Sequence, residues 1–417
     1  MPNINKKQKQ RHKTITPSPF FIKVIKPFLH WLLPRLYTIK IIRSKELAAI
    51  HPPYIIVGNH VNFWDPFLLG LYIKEIPQFV TSDNIFRTRL FGVIMKLFGS
   101  IPKSKFMSDA ATVAQIVRII KGGGVIGIFP EGRRTWDGRS LEHVPQVSKL
   151  IQRLALPVVG VRVKGAFLAR PRWARKRSKG LVELEYFSLF SGEELKGLGW
   201  EEVKQLMEEQ LFHDDIAWAR EKELRFVGKR RAEYVEKLLY LCPSCEGVAT
   251  LVSHDNTVEC SSCGYAFTYE ETGELGPVTG PLRFSELGDW NEWQQKRLIE
   301  RICELSDGEQ IFMEEGPAML LTGYRAQRLK KLRTGRALFS RDTLYFRTPL
   351  REGFSFPVNE LEAVNVQDKE KLEFYHKGML FRLNFVSSRA SALLWYRAIT
   401  GVQECLASGN LLSSDKF

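Results

Sequence analysis

The first 45 residues hold eleven Lys or Arg and not one Asp or Glu. With no acid to neutralise it, this arm points to an anionic partner: lipid headgroups, nucleic acid or an acidic protein. The rest of the 417-residue chain carries 50 basic against 46 acidic residues, so most of the net charge of +15 sits at one end. Long hydrophobic runs are also missing. The apolar stretch "PFFIKVIKPFLHWLLP" at 19–34 is too short and too charged to span a bilayer, and it lacks the small-residue cleavage site of a signal peptide. Cysteine is scarce: six in all, four of them in two CxxC pairs. Without a secretory signal, disulfides are not expected and a cytoplasmic setting follows. No internal repeat and no low-complexity segment is present.

The length allows two or three domains, and 44% hydrophobic residues are enough for a substantial core. In 19–34, Phe20, Phe21, Val24, Ile25, Phe28, Trp31 and Leu32 recur at helical spacing, while Lys23, Lys26 and His30 share another face. That pattern predicts an amphipathic helix lying in a membrane interface, with Pro27 and Pro34 as kinks or ends. The competing reading is a helix packed on the protein's own core. Residues 1–45 are therefore read as a basic membrane-association segment.

Residues 54–190 alternate strand-like and helix-like stretches, which predicts an α/β domain with a mostly parallel sheet, bounded at 46–235. "YIIV" (54–57), "VIGIF" (125–129) and "LPVVGVRV" (156–163) read as strands. "FLLGLYI" (67–73) and "SDAATVAQIVRIIKGGG" (108–124) read as helices, the second capped by Ser108 with Val113, Ile116, Val117 and Ile120 on its inner face. Two polar helices are expected over 200–240. Residues 236–272 contain the CxxC pairs, and 273–410 open with a helix around 290–305, followed by short strands and a terminal helix over 387–406. The strand-rich part is similar in pattern to a pleckstrin-homology-like domain.

In parallel sheets functional groups gather at the carboxyl ends of strands. Two stretches fall there: "NHVNFWDP" (59–66), with four residues between His60 and Asp65, and "FPEGRR" (129–134). A lone histidine at a strand end is usually structural, and Asp65 before Pro66 reads equally well as a helix cap. "FGSIPKSK" (98–105) adds Lys103 and Lys105. A base, carboxylates and several cations around one sheet edge suit an acceptor with both a hydroxyl and a phosphate. Glu131 can also be read as an ion-pair partner of a neighbouring arginine. Cys242, Cys245, Cys260 and Cys263 form two knuckles fourteen residues apart. That spacing predicts a structural zinc ribbon, and four thiolates leave no open position for catalysis.

These motifs, in this order, resemble the 1-acylglycerol-3-phosphate acyltransferase-like (glycerolipid acyltransferase) family. "NHVNFWDP", "FGSIPKSK", "FPEGRRT" and "LPVVGVRVKGAF" are similar to its four motifs. Lys105 stands where the family usually has Arg, Arg133 where it has Thr, Gly160 where a second proline is common, and Ser82 where a lysine is often found. The resemblance implies a membrane-surface O-acyltransferase that needs no catalytic cofactor. His60 would act as general base and Asp65 as its orienter. Lys105, Glu131, Gly132, Arg133 and Arg134 would bind the acceptor. The implied acceptor is a lysophospholipid, 1-acylglycerol-3-phosphate foremost, and the donor is acyl-CoA or acyl-carrier protein. The implied place is peripheral or monotopic, at the anionic inner face of the cell membrane.

The basic run 162–179 holds eight Lys or Arg and no acid, which usually marks a solvated face. With Phe167, Leu168 and Trp173 interleaved it is expected to touch anionic lipid or the donor, with nucleic acid as a further reading. Two other readings stand beside the enzyme. One is a non-catalytic membrane protein that recruits partners through ribbon and C-terminal domain. The other is a zinc-ribbon nucleic-acid binder; no nucleic acid is expected, because the ribbon lacks clustered aromatic and basic residues.

Overall fold

The computed structural model describes residues 16–103, 110–305, 310–324, 327–349 and 352–407. It opens with α1 (Pro19–Leu36), whose first turn is capped by the Ser18 hydroxyl. Ile22, Leu29 and Leu33 are buried against the core, yet Phe20, Val24, Phe28 and Trp31 remain exposed. One face thus packs on the protein's own core, as the competing reading expected, and the other leaves four large apolar side chains in the open. The expected segment 1–45 does not stand apart, however. β1 (Thr38–Arg43) pairs along its whole length with a strand of the main sheet, so residues after α1 belong to the α/β unit.

That unit continues through β2 (Ile55–Gly58), α2 (Asp65–Leu71), β3 (Gln78–Ser82), α3 (Arg89–Leu97), β4 (Ile101–Lys103), α4 (Ala110–Lys121) and β5 (Ile126–Ile128). It is completed by α5 (Pro145–Leu154), β6 (Val158–Lys164), the single turn α6 (Ala166–Ala169) and β7 (Leu181–Phe190). The seven strands lie in the order β1-β7-β6-β2-β5-β3-β4. β6, β2, β5, β3 and β4 run parallel, and β7 with β1 runs against them. Every residue of β2 is buried, as expected of a central strand covered on both faces. In α4 the buried face is Thr112, Gln115, Ile116 and Ile119, with Val113 turned outward. Of the expected face, Ile116 is buried, Val117 and Ile120 are half-buried and Val113 is exposed; Thr112 adds a bond from its hydroxyl to the Pro102 carbonyl at 2.9 Å.

α7 (Gly192–Gly197), α8 (Trp200–Leu211) and α9 (Asp215–Glu221) follow. The second helix expected over 200–240 ends at Glu221. Beyond it, Val235, Leu238, Leu239, Tyr240 and Leu241 are all buried. Such a near-continuous apolar run leaves no polar face for a surface helix, and the chain threads through the core instead.

A four-stranded antiparallel sheet comes next: β8 (Leu251–His254), β9 (Thr257–Cys260), β10 (Ala266–Tyr269) and β11 (Leu275–Pro277). It runs past the expected boundary at 272, since Leu275–Pro277 pairs with β10. α10 (Leu287–Cys303) then leads to β12 (Met313–Gly323), β13 (Lys330–Phe339), β14 (Thr343–Arg347), β15 (Phe354–Pro357), β16 (Leu361–Gln367), β17 (Lys371–His376) and β18 (Met379–Phe385). These seven strands are antiparallel in the order β15-β14-β13-β12-β18-β17-β16. α11 (Ala392–Ala407) packs Trp395 onto Phe339 and Phe385. One hydrophobic core runs without a break from Leu33 through Tyr240, Trp290 and Phe374 to Val402. The three parts are therefore fused, and what the C-terminal sheet presents to the α/β unit is fixed.

Candidate active site

His60 follows the end of β2, in a loop tied down from several sides. Asn59 pairs with Val163 on β6 through both its amide groups, at 2.9 and 2.7 Å. The His60 main chain donates its N–H to Glu131 Oε1 at 3.2 Å and accepts from the Thr135 N–H at 2.9 Å. Its ring stacks on Phe129, with centroids 4.1 Å apart, and Phe129 stacks in turn on Phe79. Main chain and ring plane are thus both held before any ligand arrives.

The structure decides the question left open for Asp65. It opens α2 but makes no cap to that helix. Its fully buried carboxylate turns back to the histidine loop. Oδ2 lies 2.7 Å from His60 Nδ1, 2.7 Å from the Val61 N–H and 2.8 Å from the Asn62 N–H. The cap reading is corrected, because the tight 60–65 turn directs three donors at one oxygen. A carboxylate on Nδ1 fixes the tautomer with Nε2 available as a base. Asn62 reinforces the turn, accepting from the Trp64 N–H at 2.6 Å and donating to the Ala166 carbonyl at 3.2 Å. Asn59, Asn62 and Phe129 escaped sequence reasoning. The only signal was that asparagine is common where a short side chain must bond main chain.

The segment after β5 supplies the next groups. Glu131 is 3% exposed and lies behind the histidine loop, outside the lining of the cavity described below. Burial pushes its carboxyl well above the usual carboxylate range, with the His60 and Leu141 N–H groups pulling the other way. No ion pair forms with an arginine among the described residues, so Glu131 is placed as a brace of His60 rather than as a group facing a ligand. Gly132 has φ +66°, a conformation that favours glycine and lets the chain turn beneath the histidine. Arg133 donates to the Tyr396 hydroxyl on α11 and lies over its ring. Arg134 has no carboxylate within ion-pairing distance among the described residues. Burial lowers its pKa, while Asp65 and Asp368 favour its charge from farther away. Lys105 lies outside the described residues; Lys103 lines the cavity.

His60, Gly132, Arg133 and Arg134 face a cavity of about 910 Å³ at the carboxyl ends of β2, β3, β4 and β5. Its apolar walls come from Ile22 and Ile25 on α1, Phe91 and Met95 on α3, and Val147 and Leu150 on α5. Phe63, Phe91 and Val113 both line it and are exposed, so its apolar part reaches the surface. Among the described residues eight Lys or Arg line it, against the single carboxylate of Asp368. An apolar chamber with an excess of guanidinium and ammonium groups beside a histidine–carboxylate pair can hold an amphiphile with an anionic head.

Part of the polar wall comes from the C-terminal sheet, through Val366, Gln367, Asp368, Lys371 and Arg382. Glu373 of β17 accepts from Arg87 of the α/β unit at 2.5 Å and from Arg382 at 2.6 Å, and is itself 2% exposed. Glu373→Ala would take from a buried joint the carboxylate that both guanidiniums share, leaving Arg87 with Asp83 at 3.5 Å. Loss of about 3–5 kcal/mol is expected, read by denaturant unfolding; a change under about 1 kcal/mol would mean the joint is solvated.

The basic run 162–179 is corrected too. Phe167 and Trp173 are fully buried and Leu168 is 3% exposed. Lys164 pairs with Glu183 and Glu185, and Arg162 with Glu185. Arg172 is buried, lies over Trp136, and bonds the carbonyls of Arg134, Val366 and Asp368. Interleaved aromatics drew this run into the joint between units; of its cations only Arg175, Lys176 and Lys179 are exposed.

Cys242, Cys245, Cys260 and Cys263 converge away from the cavity, with their four Sγ atoms within 4.8 Å of one another. Cys242 lies 3.7 Å from Cys263, and Cys245 3.7 Å from Cys260. Glu246 and Gly264, each just after the second cysteine of a pair, both take positive φ, which wraps the main chain around the thiols. These four residues can hold a metal ion.

Residues 38–164 match the family model described as Acyltransferase. A chloroplastic 1-acyl-sn-glycerol-3-phosphate acyltransferase of Brassica napus is 25% identical over 123 residues, 29% of this chain and 36% of the relative. One of Arabidopsis thaliana is 29% identical over 105 residues, 25% of this chain and 29% of the relative. One of Bacillus subtilis is 23% identical over 93 residues, 22% of this chain and 47% of the relative. The chain thus spans between 29% and 55% of the length of the curated relatives it matches. Among solved structures, the 1-acyl-sn-glycerophosphate acyltransferase PlsC of Thermotoga maritima aligns with a TM-score of 0.40 at 19% identity, over 49% of this chain and 80% of that one.

Proposed function

We propose that the chain is a membrane-surface O-acyltransferase that moves an acyl group from a thioester, acyl-CoA or acyl-carrier protein, to the free hydroxyl of a lysophospholipid. The relatives' names make 1-acylglycerol-3-phosphate the reference acceptor. The observation that carries this reading is the 2.7 Å His60–Asp65 pair on the wall of an apolar cavity rich in cations.

His60 Nε2 takes the proton as the acceptor oxygen attacks the thioester carbonyl. The tetrahedral intermediate collapses, the C–S bond breaks, and the imidazolium returns the proton to the leaving thiolate. Asp65 holds the ring and stabilises its charged form. Arg134, with no ion pair of its own among the described residues, binds the acceptor phosphate as a fork, with Lys103, Lys105 and Arg133 adding positive potential. Gly132 lets the main chain come close to the ligand. Glu131 serves through His60. The test is turnover of the purified chain with labelled acyl-CoA or acyl-carrier protein and a lysophospholipid panel on liposomes; no transfer to any acceptor would overturn the reading.

The same reading puts the exposed face of α1 into the cytoplasmic leaflet, with Leu90, Phe91 and Val93 of α3 beside it. Ser18 and Phe21 touch the end of α3, so the two apolar faces adjoin. No helix among the described residues is long and apolar enough to cross a membrane, and a monotopic placement accords with that. Deleting residues 1–34 would strip Leu29 and Leu33 from the core, so substitution is the better probe. Phe28→Glu with Trp31→Glu should weaken sedimentation with anionic liposomes at least about tenfold, from the lost burial of two aromatic side chains. Undiminished pelleting would move the anchor elsewhere.

The four cysteines fit zinc. Zn–S bonds of about 2.3 Å in a tetrahedron put sulfurs about 3.8 Å apart, close to the 3.7 Å observed for two pairs. A zinc held there would close the ends of β8–β11 as a ribbon. For the C-terminal sheet, the strand order and the terminal helix support a pleckstrin-homology-like fold.

A further inference from the structure

Arg134 and Asp368 line one cavity and are tied to one guanidinium: Arg172 donates to the Arg134 carbonyl at 3.0 Å and to the Asp368 carbonyl at 3.3 Å. Asp368 belongs to the β16–β17 turn of the C-terminal sheet, lines the same cavity, and holds Lys371 at 2.5 Å. A phosphate held by Arg134, with its glycerol hydroxyl toward His60, would have the Asp368–Lys371 pair on the same cavity wall, the Asp368 side chain being 62% exposed. A bare phosphomonoester needs only donors at that place. A carboxylate facing it would repel it, since like charges disfavour one another.

We propose that the β16–β17 turn is a headgroup subsite, and that Asp368 and Lys371 receive a hydroxyl-bearing substituent on the acceptor phosphate. The acceptor class is then a lysophosphodiester with a polyol head, such as phosphoglycerol. A hydroxyl both donates and accepts, so one group satisfies the carboxylate and the ammonium of the pair together. An ammonium head would instead meet Lys371, Arg382, Arg134 and Arg172 around a single carboxylate. The position of the turn is set by Arg172, which bonds the Asp368 and Val366 carbonyls, and by Asn84, which donates to Gln367. The subsite is thus built by the joint between the two units. This inference rests on the acyltransferase reading and on Arg134 as the phosphate ligand.

The test compares kcat/KM of the full chain for lysophosphatidylglycerol, lysophosphatidylethanolamine and lysophosphatidate in the same mixed micelles, with one donor. Asp368 has φ +55°, where glycine is at ease, so Asp368→Gly removes the carboxylate without straining the turn. Asp368→Gly should lower kcat/KM for lysophosphatidylglycerol about tenfold or more, the effect of a lost hydrogen bond to a charged group. The rate with lysophosphatidate should not fall, and the KM for the donor should stay within about twofold. Equal losses on all acceptors, or parent turnover with lysophosphatidate alone, would overturn the subsite and leave the acyltransferase reading intact. No turnover of the parent with any acceptor would overturn both.

Discussion

Asp65→Asn is expected to lower acyl transfer by about three to four orders of magnitude, the fall known when a base loses the carboxylate that orients it. The asparagine oxygen can still accept the Val61 and Asn62 N–H groups, so the turn is retained. Replacing a charged acceptor by a neutral one costs about 1–2 kcal/mol of stability. What is lost is the charge that favours the imidazolium, and the amide can select the wrong tautomer of His60. His60→Ala should be about as damaging. The double variant should be little worse than either single one, because residues acting as one unit are not additive. Turnover with lysophosphatidate and melting temperature, measured on all three, check this together. Near-normal turnover of Asp65→Asn would leave the pair as a mere brace of the loop, and the mechanism would lose its base.

The zinc proposed for the four-cysteine site should matter as much for stability as the pair does for turnover. The sheet β8–β11 is made of three- and four-residue strands, too short to bury much of a core alone. Apparent zinc binding by small cysteine sites is worth about 10 kcal/mol or more, comparable to the whole stability of an ordinary domain. Cys242 is also part of the continuous core, next to Tyr240 and Leu241, which hold Gln294 of α10. Chelation or Cys242→Ser should therefore lower the melting temperature by more than about ten degrees. Turnover should fall too, although none of the four thiols lines the cavity. Elemental analysis should give one zinc per chain. No zinc, together with four freely reactive thiols, would refute the site.

The brace on Glu131 shows how far sequence reasoning reaches. Its place in "FPEGRR" marked it as functional, but not whether it faced a ligand or another residue. That depended on the fold, which brings Glu131 Oε1 to the His60 N–H. The basic run failed for a related reason. A charge run alone predicts a solvated face, but Phe167 and Trp173 needed burial more than the cations needed water. Arg172 followed them into the joint because main-chain carbonyls and the Trp136 face were there to receive it.

The sequence by itself determined what local spacing can encode. His60 and Asp65 sit close enough along the chain for one tight turn to join them, and strands alternating with helices made the parallel sheet legible. The two CxxC pairs announced a four-thiol cluster, and the apolar spacing of 19–34 announced α1. Only the tertiary structure decided which face of α1 is buried, that β1 closes one edge of the sheet, and that Asp65 turns to His60 rather than to its own helix. It also decided that a turn some three hundred residues downstream of His60 forms part of the same cavity wall. The physical reason is range. Turns, caps and periodicities act over a few residues, whereas the meeting of Arg87 with Glu373 and of Arg172 with the β16–β17 turn is set by how separate apolar faces share one core.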